Sequence, residues 1–164
     1  MSRAFVNEDA GIDRPDLPEL PLSRHPNYVT LRGLETLKAR LAQRLEELEA
    51  LRAREDRLDK LPEAAAERDI RWLEARLAMA IPVDPAEQPL DAVAFGLAVL
   101  VADAGGREIR YEITGEDEAD AAQGRIAPQS PLARALIGAA PGDTVVVQRP
   151  AGALELEVLE ISRP

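Results

Sequence analysis

The chain has no cysteine and one histidine among 164 residues. Disulfides and thiolate metal sites are therefore excluded. His25 has no second imidazole or thiol with which to build a metal cluster or a triad. Aromatic residues are scarce: Phe5, Tyr28, Trp72, Phe95 and Tyr111. That is too few for a base-stacking platform. Long apolar runs are missing too. The longest, residues 93–102, is broken by Gly96 and falls far short of a membrane span. The start, MSRAFVNEDAG, lacks the apolar stretch of a secretory signal. The expectation is a soluble, cytoplasmic chain.

Positive charge is the other shortage, with 20 basic against 30 acidic residues. The imbalance is local. Residues 28–80 carry eleven of each sign, whereas residues 81–164 carry fourteen acids and six bases. The C-terminal half should avoid bare nucleic acid and prefer a basic protein surface.

What the chain has in abundance is leucine at helical spacing. Leu34, Leu37, Leu41, Leu45, Leu48 and Leu51 recur every three or four residues, which puts them on one face of a helix. Thr30 is a suitable N-cap, and neither Gly nor Pro occurs over residues 34–61. A second stripe follows in Ala66, Ile70, Leu73, Leu77 and Ala80. Two stripes joined by a short turn predict an antiparallel helical hairpin. Its turn lies near residues 55–62, with Asp59 as N-cap before Pro62. Asp56 is spaced to pair with Arg52 or Lys60. No other helices are available to complete a bundle, so the hairpin reads as a projecting arm.

Residues 1–27 contain four prolines and no periodicity and are expected to be a disordered, Pro-rich extension. The hairpin occupies residues 28–81, and Pro82, Pro85 and Pro89 mark a linker over residues 82–92. From residue 93 the pattern becomes that of strands. Residues 93–101 and 107–114 flank the turn Asp103-Ala104-Gly105-Gly106 and predict a β-hairpin. Residues 115–120, Gly-Glu-Asp-Glu-Ala-Asp, form an acidic loop. The spacing is not that of an EF-hand, and such a run is more often solvated than metal-binding. Ser130-Pro131 opens a short helix that Gly138 ends. Strands follow at residues 144–148 and 154–161. The predicted fold class is α+β, with a helical hairpin followed by a small antiparallel sheet carrying one short helix.

These motifs occur in a telling order: Thr-Leu-Arg-Gly at residues 30–33, the hairpin, Phe95-Gly96, the acidic loop at 115–120, Ser-Pro-Leu-Ala-Arg-Ala-Leu-Ile-Gly at 130–138, Gly142-Asp143 and Pro150-Ala151-Gly152. Over residues 28–162 the chain resembles the GreA/GreB family of bacterial transcription elongation factors. The resemblance implies a coiled-coil arm and an FKBP-like C-terminal domain, residues 93–164, that docks on RNA polymerase. It implies that the arm enters the secondary channel, where tip carboxylates help hold a Mg²⁺ shared with the polymerase. The polymerase then hydrolyses its own backtracked transcript, so the factor itself is no enzyme. Contact with nascent RNA would be indirect, and a monomer is expected.

Carried over residue by residue, the docking segment is Gln129, Ser130 and Pro131, with Gln129 where the family tends to have Asp or Asn. The tip departs further, because the family's Gly-Asp-Leu-Lys-Glu-Asn-type motif is absent. The nearest carboxylates, Glu55, Asp56 and Asp59, are the candidates for the metal-holding role, and four basic residues surround them. The arm is also shorter than usual, by about two turns per helix, or ~10 Å of reach. A second expectation is therefore a regulator that occupies the channel without promoting cleavage. A peptidyl-prolyl isomerase would need an aromatic-lined apolar pocket, for which the C-terminal half offers Phe95 and Tyr111. A free-standing oligomeric scaffold is the remaining alternative that leucine stripes allow.

Overall fold

The computed structural model describes residues 15–56 and 58–164. The first strand, β1 (Asn27–Thr30), leads straight into the hairpin of α1 (Leu31–Arg52) and α2 (Leu61–Ala78). At ~1.5 Å per residue the 22-residue α1 is roughly 33 Å long. Leu37 and Leu73 are buried near the base, and Leu48, Ala66 and Ile70 nearer the tip. Leu45 departs from its stripe and is 43% exposed. Arg44 is turned toward α2 and pairs with Asp69 at 2.9 Å.

After α2 the chain enters β2 (Ala80–Val83), which pairs in parallel with β1. The expected linker thus begins as a strand. Pro82 is tolerated there because a two-stranded ribbon leaves one side of each strand without ladder bonds. The pairing closes the base of the arm, since the strand that enters the hairpin is bonded to the one that leaves it.

The remainder is a five-stranded sheet in the order β5-β4-β3-β7-β6, made of β3 (Ala98–Asp103), β4 (Glu108–Ile113), β5 (Arg125–Ile126), β6 (Thr144–Arg149) and β7 (Gly152–Ser162). All neighbours are antiparallel except β4 and β5. The helix α3 (Pro131–Leu136) lies against it. Val99, Val101, Ile113, Leu136, Leu156 and Val158 are wholly buried and form the core. The strand expected over residues 93–101 starts five residues late. Gly96 has φ +84°, and residues 93–97 fold into a buried turn. Its Val93 N–H donates to the Ala139 carbonyl, and its own carbonyl accepts from Gly138.

Residues 1–14 of the expected disordered extension lie outside the described residues. Residues 15–26 contain no helix or strand, yet they lie against the hairpin. The Trp72 indole donates to the Pro21 carbonyl at 3.1 Å, and Arg71 pairs with Glu19.

Candidate functional site

Three regions hold the residues singled out by sequence: the hairpin tip, the start of α3, and the acidic loop. At the tip, Glu55, Asp56 and Asp59 are all exposed. Asp56 Oδ1 accepts the Leu58 N–H at 3.1 Å, and Asp59 Oδ1 accepts the Leu61 N–H at 2.9 Å. Each carboxylate therefore spends one oxygen on shaping the turn. Lys60, one residue later than expected, occupies the N-cap position of α2 and makes no side-chain cap bond. Asp59 still serves the first helical turn as an acceptor. The anticipated Arg52–Asp56 and Asp56–Lys60 pairs do not form. Arg52 reaches Glu67 on α2 at 2.8 Å, and Lys60 turns to Glu63 at 3.5 Å. Leu58 stands 94% exposed between the two aspartates.

Among the described residues, no group of three or more His, Asp or Glu is arranged to hold a metal ion. The tip does not fit a resident cation by itself. Hard cations such as Mg²⁺ want several oxygens, and the tip offers separate, solvent-facing carboxylates.

At the start of α3, Ser130 Oγ accepts the Ala133 N–H at 3.2 Å, so the serine is the expected N-cap. Pro131 is exposed. Gln129 is half-buried, and its Oε1 is shielded from solvent without a hydrogen-bond partner. Gln129 also lines a shallow groove of about 440 Å³ together with His25, Pro26, Tyr28, Pro128 and Arg134. The groove therefore joins the start of α3 to the segment that leads into the arm.

The acidic loop does what its sequence did not announce. Glu118 reaches back to the start of α1. Its Oε1 accepts the Thr30 hydroxyl at 2.6 Å, and its Oε2 accepts the Thr30 and Gly115 N–H groups, both at 3.3 Å. Thr30 in turn caps α1 by accepting the Gly33 N–H at 3.0 Å. Arg32 completes the cluster, 2.6 Å from Glu112 and 3.4 Å from Glu118. Partial burial opposes the Arg32 charge, but the two glutamates outweigh it and raise the guanidinium pKa.

The neighbouring acids take Arg76, which is only 1% exposed near the end of α2. Its guanidinium donates to Asp117 at 2.8 Å and to Asn27 at 2.5 Å, and lies 3.5 Å from Glu116. The loop is thus more than a solvated run: it is a clasp between arm and sheet. The Tyr28 and Phe95 rings, 5.8 Å apart, add an apolar contact across the same junction. The signal that could have revealed the clasp was Arg76, a cation on the apolar stripe of α2 that requires buried anions.

The helical arm is thus clasped to the sheet domain, and Pro131 at the start of α3 is exposed on that domain. The family model for the C-terminal domain of transcription elongation factors GreA/GreB matches residues 87–163. The chain is 44% identical over 101 residues to transcription elongation factor GreA of Alkalilimnicola ehrlichii, covering 60% of this chain and 64% of that one. It is 42% identical over 107 residues to GreA of Neisseria meningitidis, covering 60% of this chain and 68% of that one. Among solved structures, GreA factor homolog 1 of Thermus thermophilus matches at 23% identity with a TM-score of 0.40, covering 84% of this chain and 99% of that one. The chain belongs to the GreA/GreB family. Its match spans less than two thirds of the length of the Alkalilimnicola relative. No described helix is long and apolar enough to cross a membrane.

Proposed function

We propose that this protein is an RNA polymerase-binding transcription elongation factor. Its sheet domain docks through Gln129, Ser130 and Pro131 at the rim of the secondary channel, and its arm enters the channel. The observation that supports this reading best is the clasp. An arm held at a fixed angle by Glu118 and Arg76 can deliver its tip to a set place once the ledge around Ser130 is bound. Membership of the GreA/GreB family supports the choice of partner.

At the tip, the reading assigns Asp56 and Asp59, with Glu55, to contact with a Mg²⁺ that the polymerase itself holds. A second cation in such a site stabilises the attacking oxygen in a two-metal displacement. The chain's own part is to position carboxylates; bond cleavage in the backtracked transcript belongs to the polymerase. The factor acts from the cytoplasm as a monomer, and its contact with nascent RNA is indirect.

The tip's geometry favours a second outcome, occupation of the channel without cleavage. Asp56 and Asp59 already hold backbone N–H groups, and the sequence around them is rich in basic residues. The packing of Phe95 against Tyr28 at the base of the arm weighs against the isomerase alternative.

The deciding experiment is RNA shortening in a stalled, backtracked polymerase complex in Mg²⁺, with binding measured in the same sample. Faster shortening that Asp56→Ala or Asp59→Ala abolishes supports the cleavage role. Binding without shortening, together with displacement of an active cleavage factor, selects the occupying regulator. Absence of binding rejects both.

A further inference from the structure

The segment before β1 follows α2 in a regular way. Pro15, Asp16, Leu17 and Glu19 line a hollow with Ala64, Glu67 and Arg71. Arg71 holds Glu19 with two nitrogens, at 2.5 and 3.1 Å. That hydrogen bond is the main cause of the raised Arg71 pKa. Leu20 lines a hollow with Arg40 of α1 and Trp72 and Leu73 of α2, and the Trp72 indole donates to the Pro21 carbonyl. Ser23 then donates to Glu116 of the clasp at 2.9 Å.

The contacts advance together from the tip end of α2 to its base. Four extended steps, from residue 15 to 19, cover roughly 13 Å, and seven helical steps, from 64 to 71, cover roughly 11 Å. The segment therefore runs parallel to α2 at matching pace. Pro15 lines the same hollow as Ala64, which lies within a turn of the start of α2.

We propose that residues 15–23 are a third member of the arm and enter the partner's channel with the two helices. One flank of the arm is then presented to the polymerase by Asp16, Leu17 and Glu19 instead of by α2 itself. This rests on the polymerase-binding reading and adds to it a contact surface outside the residues matched by the family model, 87–163.

The test places a photoreactive benzoylphenylalanine, one position at a time, in the full chain at Leu17, at Leu58 on the tip and at Arg134 on the ledge. Each variant is irradiated in complex with RNA polymerase. The expected result is that the Leu17 probe captures channel-lining polymerase segments, as the Leu58 probe does. Capture should fall several-fold with Glu19→Arg and return when Arg71→Glu is added. In the free protein, Glu19→Arg should also shift the emission of Trp72, the single tryptophan, to the red. Capture by Leu58 and Arg134 but not by Leu17 overturns the proposal and leaves polymerase binding intact. Capture of outer polymerase surface by Leu17 overturns it as well. Failure of all three probes removes the polymerase reading and this inference with it.

Discussion

Gly33 and Glu118 make a pair whose separate substitutions mislead. A Cβ at Gly33 would overlap the Glu118 carboxylate, which is held by Thr30, Gly115 and Arg32. Gly33→Ala should therefore destabilise the parent by roughly 1–3 kcal/mol, because hydrogen-bonded groups lose their partner. In a Glu118→Ala background the same change should stabilise by up to ~1 kcal/mol, since alanine is the better helix former. Urea unfolding of the four proteins measures the coupling, and additive effects would refute the clasp geometry. Arg76 and Arg71 differ in the same instructive way. Arg76 is buried among Asn27, Asp117 and Glu116, so Arg76→Ala should cost about 3 kcal/mol. The exposed Arg71–Glu19 pair should contribute little to stability, and less in high salt.

The elements are legible where burial follows periodicity. Both helices, the turn at residues 103–106 and the Ser130 cap can be read from residue spacing alone, because each depends on local chemistry. The parallel β1–β2 ribbon cannot, since its strands lie on either side of a whole hairpin and neither alternates. Asp59 can be read as serving the first turn of α2 but not as a site, because an exposed carboxylate looks the same in either role. The acidic loop misleads for a related reason. Four carboxylates in sequence say nothing about Arg76 and Thr30, which reach them only after the arm folds back. Leu45 shows the limit of the stripe itself: it sits at the edge of the α1 face that meets α2 and stays wet, 43% exposed. Leu37→Ala and Leu73→Ala should each cost about 2–5 kcal/mol, whereas Leu45→Ala should stay within roughly 0.5 kcal/mol. Thermal unfolding of the three variants checks the ranking.

At the scale of the whole molecule, the question is whether arm and sheet move as one. The side chains that cross the junction come from several parts: Ser23 from the segment before β1, Thr30 from β1, Arg32 from α1, Arg76 from α2, and Glu112, Glu116, Asp117 and Glu118 from the sheet domain. Such a joint should be stiff, because several charged hydrogen bonds from different elements would have to stretch together, and these are the stronger kind. The absence of cysteine makes the joint measurable. Spin labels on Leu58→Cys at the tip and Val146→Cys on β6, both exposed in the parent, should report a single narrow distance distribution. Adding Glu118→Ala should broaden it while leaving the sheet core folded. In the polymerase assay the same variant should keep docking through the Ser130 ledge and lose tip-dependent effects, because a wandering tip occupies the right place only part of the time. A distribution as narrow as the parent's would mean that Arg76 and the β1–β2 ribbon hold the angle without Glu118. Polymerase effects would then depend on tip chemistry alone.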